Sequence, residues 1–142
     1  MGNLANKFWA AASNLHSRLY EVSDGRVGGS IKGMPTIVVE TTGRKSGQRR
    51  PRPVVKLEHD GSVYVIPSNN GSDDHPAWYL NIQADPSVTV TDRGDTYEAT
   101  AVILDEPERS VVYEAAKQRL DNFVKYEKRA ARTIPVVRLD RV

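Results

Sequence analysis

The sequence predicts a mainly β fold with peripheral helices (α+β), a small, partly open barrel of about six antiparallel strands. Three observations carry this. Short runs dense in β-branched residues recur from Thr36 to Leu139, a composition that suits the pleated, half-buried surface of a sheet. Turn-forming residues such as His59-Asp60-Gly61-Ser62 and Arg93-Gly94-Asp95 separate consecutive runs, as antiparallel hairpins require. Helical periodicity is confined to three stretches at the margins of those runs.

The first helical stretch is residues 3–20. Leu4, Phe8, Ala12, Leu15 and Leu19 recur at three- and four-residue steps, with Lys7, Asn14 and Arg18 opposite, an amphipathic pattern that packs on a domain. Trp9 sits off the stripe and makes this helix a candidate for bordering a ligand pocket or touching a membrane surface. Asp24-Gly25 and Gly28-Gly29 mark a flexible connection. Thr36–Thr41 is the first strand, Arg52–Glu58 the second and Val63–Ile66 the third. Read as a meander, these strands put the Gly43–Gly47 turn and the 67–71 loop at one end of the sheet.

Asp73 and Asp74 are candidate caps for a short helix through Ala77–Ile82, with Pro76 in its first turn. It stops before Asp85-Pro86, because the residue preceding proline avoids helical geometry. Ser87–Thr91 and Thr96–Leu104 form the next hairpin. A helix starting near Asp105, with Pro107 in its first turn and Glu108 completing a capping box, runs to about residue 121. Ile134–Leu139 is the last strand, with Pro135 favouring an edge position. The chain divides into residues 1–30, helix and linker, and a barrel over 31–142, together one domain.

Of 142 residues, 39% are hydrophobic and 27% charged, the balance of a globular protein. No cysteine is present, which excludes disulfides, thiolate metal sites and cysteine nucleophiles and fits a reducing compartment. No apolar run approaches the roughly 20 residues of a membrane span. Residues 1–20 lack the apolar segment and cleavage pattern of an exported chain, and Asn6 breaks the myristoylation pattern. The expected location is the cytoplasm, with the first helix a candidate peripheral contact at the inner face of the membrane. His16, His59 and His75 show no metal-ligand spacing.

Charge is segregated. The net charge is only +2, yet Arg44, Lys45, Arg49, Arg50, Arg52 and Lys56 lie in one window without an acidic residue, leaving 14 basic against 18 acidic residues elsewhere. Like charges this close repel unless an anion neutralises them. Within the window, Gly43-Arg44-Lys45-Ser46-Gly47 offers backbone freedom, a planar guanidinium fork, a point charge and a hydroxyl, all suited to phosphate oxygens. It joins strands and lacks the G-x-x-x-x-G-K-[ST] spacing of a Walker loop.

GRKSGQ, then Pro53, Ser68, Pro76-Ala77-Trp78-Tyr79-Leu80-Asn81, Asp85-Pro86 and Arg132-Thr133-Ile134-Pro135 keep an order and spacing that resemble the deazaflavin-dependent nitroreductases and quinone reductases. The resemblance covers nearly all of the chain beyond about residue 30. It implies a split β-barrel related to flavin-binding barrels and hydride transfer from reduced coenzyme F420, without a metal. The acceptor would be an electrophilic small molecule: a quinone, an activated enone or a nitroaromatic. By resemblance, Arg44, Lys45, Ser46 and Gly47 hold the coenzyme's phosphate, and Arg50 and Pro53 line its tail and ring. Arg49 and Arg52 are extra cations for its glutamate tail. Trp78 and Asn81 belong to the short helix beside the coenzyme. Ser68 falls near ring and substrate, and Asn69 stands where relatives often carry a basic residue. Phe123 and Tyr126 remain from an aromatic segment, and Ser68 or Tyr126 would serve a developing oxyanion.

Two other readings use the same residues. One is a flavin mononucleotide enzyme on the same barrel. The other is a non-enzymatic barrel binding polyanions or nucleic acid, against which stands the lack of aromatics in the cationic window. A monomer or homodimer is compatible with every reading.

Overall fold

A computed structural model describes residues 30–31 and 33–142. The helix expected over residues 3–20, with Trp9, and the linker after it lie outside the described residues. In chain order the strands are β1 (Ser30–Ile31), β2 (Met34–Thr42), β3 (Arg49–Val55), β4 (Leu57–His59), β5 (Ser62–Val65), β6 (Ser87–Asp92), β7 (Asp95–Ile103) and β8 (Val137–Arg141). The helices are α1 (Ala77–Ala84), α2 (Glu108–Arg119) and α3 (Asn122–Arg129).

All pairings are antiparallel, and they run β3-β2-β6-β7-β8-β5-β4, with β1 also on β2. The two ends of this order, β3 and β4, are consecutive in the chain. That corrects the single strand expected over Arg52–Glu58: the chain bends at Lys56, and its two halves join opposite edges of the curled sheet. The bend is held from backbone and side chain. Lys56 N donates to Pro35 O at 2.8 Å, while its Nζ lies 2.7 Å from Asp92 Oδ2 and 2.8 Å from Glu58 Oε1. This division and β1 raise the six expected strands to eight. The meander is corrected too, since β5 lies beside β4 and β8 and not beside β3.

Both two-residue turns form where their sequences demand them. Asp60 and Gly61 have φ of 48° and 81°, and Arg93 and Gly94 have 53° and 96°; paired positive φ is the hairpin geometry that matches strand twist. The last strand is interior, between β7 and β5, contrary to the edge expected from Pro135. Pro135 escapes conflict because pairing starts after it, at Val137.

Neither helix cap predicted from sequence forms. α1 takes Pro76 as N-cap with no side-chain cap, and the Asp73 carboxylate instead accepts from Ala131 N at 2.8 Å. α2 starts at Pro107, also without a side-chain cap. It is Glu106 that accepts from Ser110 N and Oγ, each at 2.9 Å from Oε1. The helix ends at Leu120, whose extended backbone (φ −147°, ψ 113°) sets off α3, an element the sequence reading did not separate.

Alternation along the strands feeds two cores. One face packs Ile37, Val39, Val65, Val88, Val90, Ala101, Val137 and Leu139 against Trp78, Tyr79 and Ile82 of α1. The other packs Leu57, Tyr64, Ile66 and Val136 against Val112, Tyr113 and Ala116 of α2 and Phe123 of α3. The seam between these cores, along β3, is where the candidate site lies.

Candidate active site

The basic hairpin turn is closed by its own backbone: Gly43 N donates to Gln48 O at 2.7 Å and Gly47 N to Gly43 O at 2.8 Å. Gly47 supplies the left-handed position, φ 71°. Gly43 is needed for a different reason, because a Cβ there would stand 2.6 Å from Ser46 Oγ and 3.2 Å from Gln48 O. Ser46 Oγ accepts from Gln48 N at 3.1 Å and from Arg50 Nη2 at 3.4 Å. Below the turn lies Asn81 of α1, buried at 4% exposure. Its Oδ1 accepts from Arg44 N at 3.1 Å and its Nδ2 donates to Thr41 Oγ1 at 3.1 Å. Asn81 thus fixes the turn's backbone from beneath.

The six cations divide sharply by environment. Arg44, Lys45, Arg50 and Arg52 are exposed. Arg50 and Arg52 pair with Thr41 and Val39, so they share the face that α1 covers. Arg49 lies on the other face and is consumed there. It donates to Thr42 Oγ1 at 2.8 Å, Thr89 Oγ1 at 2.7 Å and Glu40 O at 3.2 Å, with the Glu40 carboxylate at 3.8 Å. The role expected for Arg49 on a coenzyme tail is therefore corrected: strand alternation turns it into an internal strut. Lys56 is consumed likewise at the bend, where burial opposes its charge but Asp92 and Glu58 outweigh it and raise its pKa.

Beside β3 opens a cavity of about 760 Å³, in the range of cofactor sites. Arg52, Pro53, Val54 and Val55 form one wall, the stretch Ile66 to Trp78 supplies Ser68, Asn69, His75 and Ala77, and Leu120, Asn122, Phe123 and Tyr126 close it. The structure thus brings together Pro53, Ser68, Asn69, Trp78 and Tyr126. The Arg44–Gly47 turn and Asn81 do not line this space; they connect to it through α1. Trp78, 7% exposed, is both core and wall. Tyr126 is half-buried, its hydroxyl taking a bond from Asn122 Nδ2 at 3.1 Å. The start of α1 faces the cavity with Pro76, Ala77 and Trp78 and carries no side-chain cap. Its first amides thereby give the wall a partial positive charge.

The loop that carries Ser68 is held by a residue the sequence reading quoted only as part of a motif. Arg132 donates from Nε to Ser72 O at 3.0 Å and from Nη2 to Pro67 O and Ser68 O at 3.1 and 3.0 Å. Its Nη1 lies 3.0 Å from His75 Nδ1. Three left-handed residues in succession, Asn69, Asn70 and Gly71, make the bend that allows this. Asn69 Nδ2 donates to Asp74 O at 3.0 Å. Gly71 touches α3 so closely that a Cβ would sit 3.0 Å from Tyr126 Cα. His75 has its pKa lowered, first by burial and then by the Arg132 charge, against a smaller pull from Asp74. Its signal in the sequence was its place immediately before Pro76 in the short-helix motif.

A row of exposed cations on a rigidly closed turn suits an anionic tail. A cavity walled by Pro53, Val54, Trp78 and Phe123 beside polar groups at Ser68, Asn69 and His75 suits a flat ring. The residues present therefore fit a phosphate-bearing ring coenzyme, the fit being carried by four exposed cations on the hairpin and a cavity that Arg52 borders.

Comparison with known proteins agrees. Residues 12–140 match the family model of F420H(2)-dependent quinone reductases. The F420H(2)-dependent quinone reductase Rv1261c of Mycobacterium tuberculosis is 32% identical over 132 residues, covering 89% of this chain and 88% of that protein. Among solved structures, an F420-H2 dependent reductase (FDR-A) superposes with a TM-score of 0.68 at 32% identity, over 75% of this chain and 94% of the other. A second, described as a domain-swapped dimer, has a TM-score of 0.68 at 26% identity and covers 92% of this chain and 99% of its own.

Proposed function

The chain belongs to the F420H(2)-dependent quinone reductase family, and from that premise we propose how its residues carry out the reaction. It is an oxidoreductase that uses coenzyme F420 to reduce quinones. When bound, the reduced coenzyme supplies a hydride, with its electron pair, from its deazaflavin ring. Arg44 and Lys45, with Ser46, hold the phosphate, while Arg50 and Arg52 meet the anionic tail. Pro53 and Trp78 border the ring, and Asn81 acts through the turn it supports. Ser68 and Tyr126 present hydroxyls to the acceptor's oxygen, and the walls of the cavity exclude competing water.

The observation that carries this reading is the sorting of the cations: of six basic residues in the hairpin window, Arg44, Lys45, Arg50 and Arg52 remain exposed, Arg52 on the cavity wall, and two are consumed internally. Titration with F420 tests it, read by the coenzyme's fluorescence. Arg44→Ala and Lys45→Ala should each weaken binding by about tenfold, the worth of one charge-assisted contact, whereas a wild-type protein that leaves the fluorescence unchanged would sink the reading. A yellow protein releasing flavin on denaturation would favour the flavin mononucleotide enzyme instead.

We further propose that activated enones and nitroaromatics enter the same cavity more slowly than quinones, to be compared on one panel of acceptors. A homodimer is supported by the domain-swapped relative and is tested by sedimentation. No helix among the described residues is long and apolar enough to cross a membrane.

A further inference from the structure

Arg132 ends on the atom that decides the chemistry of His75. Its Nη1 lies 3.0 Å from His75 Nδ1, and a guanidinium can only donate. The Nδ1 lone pair therefore points to Arg132, and the ring proton resides on Nε2. Three backbone carbonyls, those of Pro67, Ser68 and Ser72, fix the same guanidinium, so the cation cannot swing away to let a second proton onto the ring. Burial of His75 acts in the same direction. The remaining groups that face the ring do not reverse this. The Asp74 carboxylate pulls the other way but more weakly, and the Tyr79 ring, 4.7 Å away, bears a hydroxyl that burial keeps neutral. His75 lines the same cavity as Ser68 and Pro53. Among the described residues its Nε2 has no hydrogen-bond partner, the ring's bond being at Nδ1.

We propose that His75 is a catalytic residue, a neutral imidazole whose Nε2–H donates to the quinone oxygen on which negative charge develops. The proposal rests on the quinone-reductase reading of this cavity. The quinone gains a hydride and its electron pair from the reduced deazaflavin, and one carbonyl oxygen becomes the oxyanion of a hydroquinone. That oxyanion takes its proton from water. His75 keeps its own proton and lends a hydrogen bond, the service a neutral imidazole with lowered pKa can give to a carbonyl. Arg132 is the positioning residue that sets the tautomer, and Ser68 is tied to it through the same guanidinium.

Nitrogen-15 NMR of the histidine rings in coenzyme-free protein tests the first half. His75, assigned by its loss in His75→Gln, should carry its proton on Nε2 and stay neutral below the ordinary histidine pKa of 6.5. Arg132→Met should release the tautomer and return the titration toward that value. A proton on Nδ1, or an ordinary titration in the wild type, overturns the proposal. Steady-state kinetics test the second half. His75→Phe should lower kcat about 100-fold, as loss of an oxyanion donor does, with F420 affinity unchanged. His75→Gln, which keeps an N–H, should recover part of the loss and serves if the Phe variant fails to fold. A kcat equal to wild type in both variants overturns it. Absence of quinone turnover in the wild type itself would overturn the parent reading, whatever the tautomer.

Discussion

At the scale of single residues, the hairpin turn rests on a side chain buried beneath it. Asn81 is that residue. Two hydrogen bonds of 3.1 Å, one accepted from Arg44 N and one donated to Thr41 Oγ1, use its acceptor and donor together at a buried position. Asn81→Ala should cost about 1–3 kcal/mol in urea unfolding, because it strands buried partners. The same variant should weaken F420 binding by loosening the turn. Equal F420 affinity in the variant would show that the turn holds its shape alone. His75 gives a second residue-scale prediction. Its pKa in the fold lies below its unfolded value of 6.5, so the unfolded chain binds the proton first as pH falls. The stability it contributes is fully present above 6.5 and is lost as pH falls through the lowered folded value. Thermal melts across that window should fall more steeply for wild type than for His75→Gln.

At the scale of elements, the loop that carries Ser68 is docked rather than free. Arg132 holds it from one side, and α3 meets it through Arg129, whose Nη1 donates to Asn70 O at 2.8 Å, and through bare contact at Gly71. There φ is 79°, and a Cβ would meet Tyr126 Cα at 3.0 Å and Tyr126 O and Arg129 Cβ at 3.1 Å. Backbone neighbours yield little, so Gly71→Ala should cost about 2–4 kcal/mol from strain and overpacking together. Gly47→Ala is the control. It has a similar φ of 71° with nothing within 4 Å, and should lose only about 1–2 kcal/mol of conformational strain. Chemical denaturation of the two variants isolates the docking contribution; equal losses would mean that α3 does not hold the loop. A loop so held presents Ser68 and His75 at fixed positions, which is what a reaction site requires of a connecting segment.

At the scale of the whole molecule, one bent stretch of chain joins the two edges of the sheet. Lys56 stands at the bend, its side chain only 15% exposed and within 2.7–2.8 Å of Asp92 and Glu58. Lys56→Met should destabilise the fold by about 1–2 kcal/mol, since it leaves the Asp92 carboxylate partly buried without its cation. Because β3 is also a wall of the cavity, the variant should raise the KM for quinone as well. Denaturant midpoints and steady-state kinetics on the same preparation check both, and an unchanged midpoint would remove Lys56 from the closure of the barrel.

Much of this architecture was legible in the residues themselves. Asp60-Gly61 and Arg93-Gly94 determined their hairpins because only certain residues accept paired positive φ. The β-branched run of β2 and the Asp85-Pro86 stop of α1 followed from local sterics in the same way. The segregation of charge around the Arg44–Gly47 turn was legible from the residues alone. Tertiary structure decided what those local rules cannot address. Whether a cation is free or consumed depends on which face of a strand it occupies and what lies across from it: Arg49 and Arg50 are neighbours in the chain and belong to opposite faces. That the strand over residues 49–59 breaks at Lys56 depends on partners from distant strands. And His75 is lowered in pKa by burial and by Arg132, 57 residues away, whose Nη1 lies 3.0 Å from its Nδ1. Local conformation is encoded where it occurs; the electrostatic character of a side chain belongs to whatever the fold brings beside it.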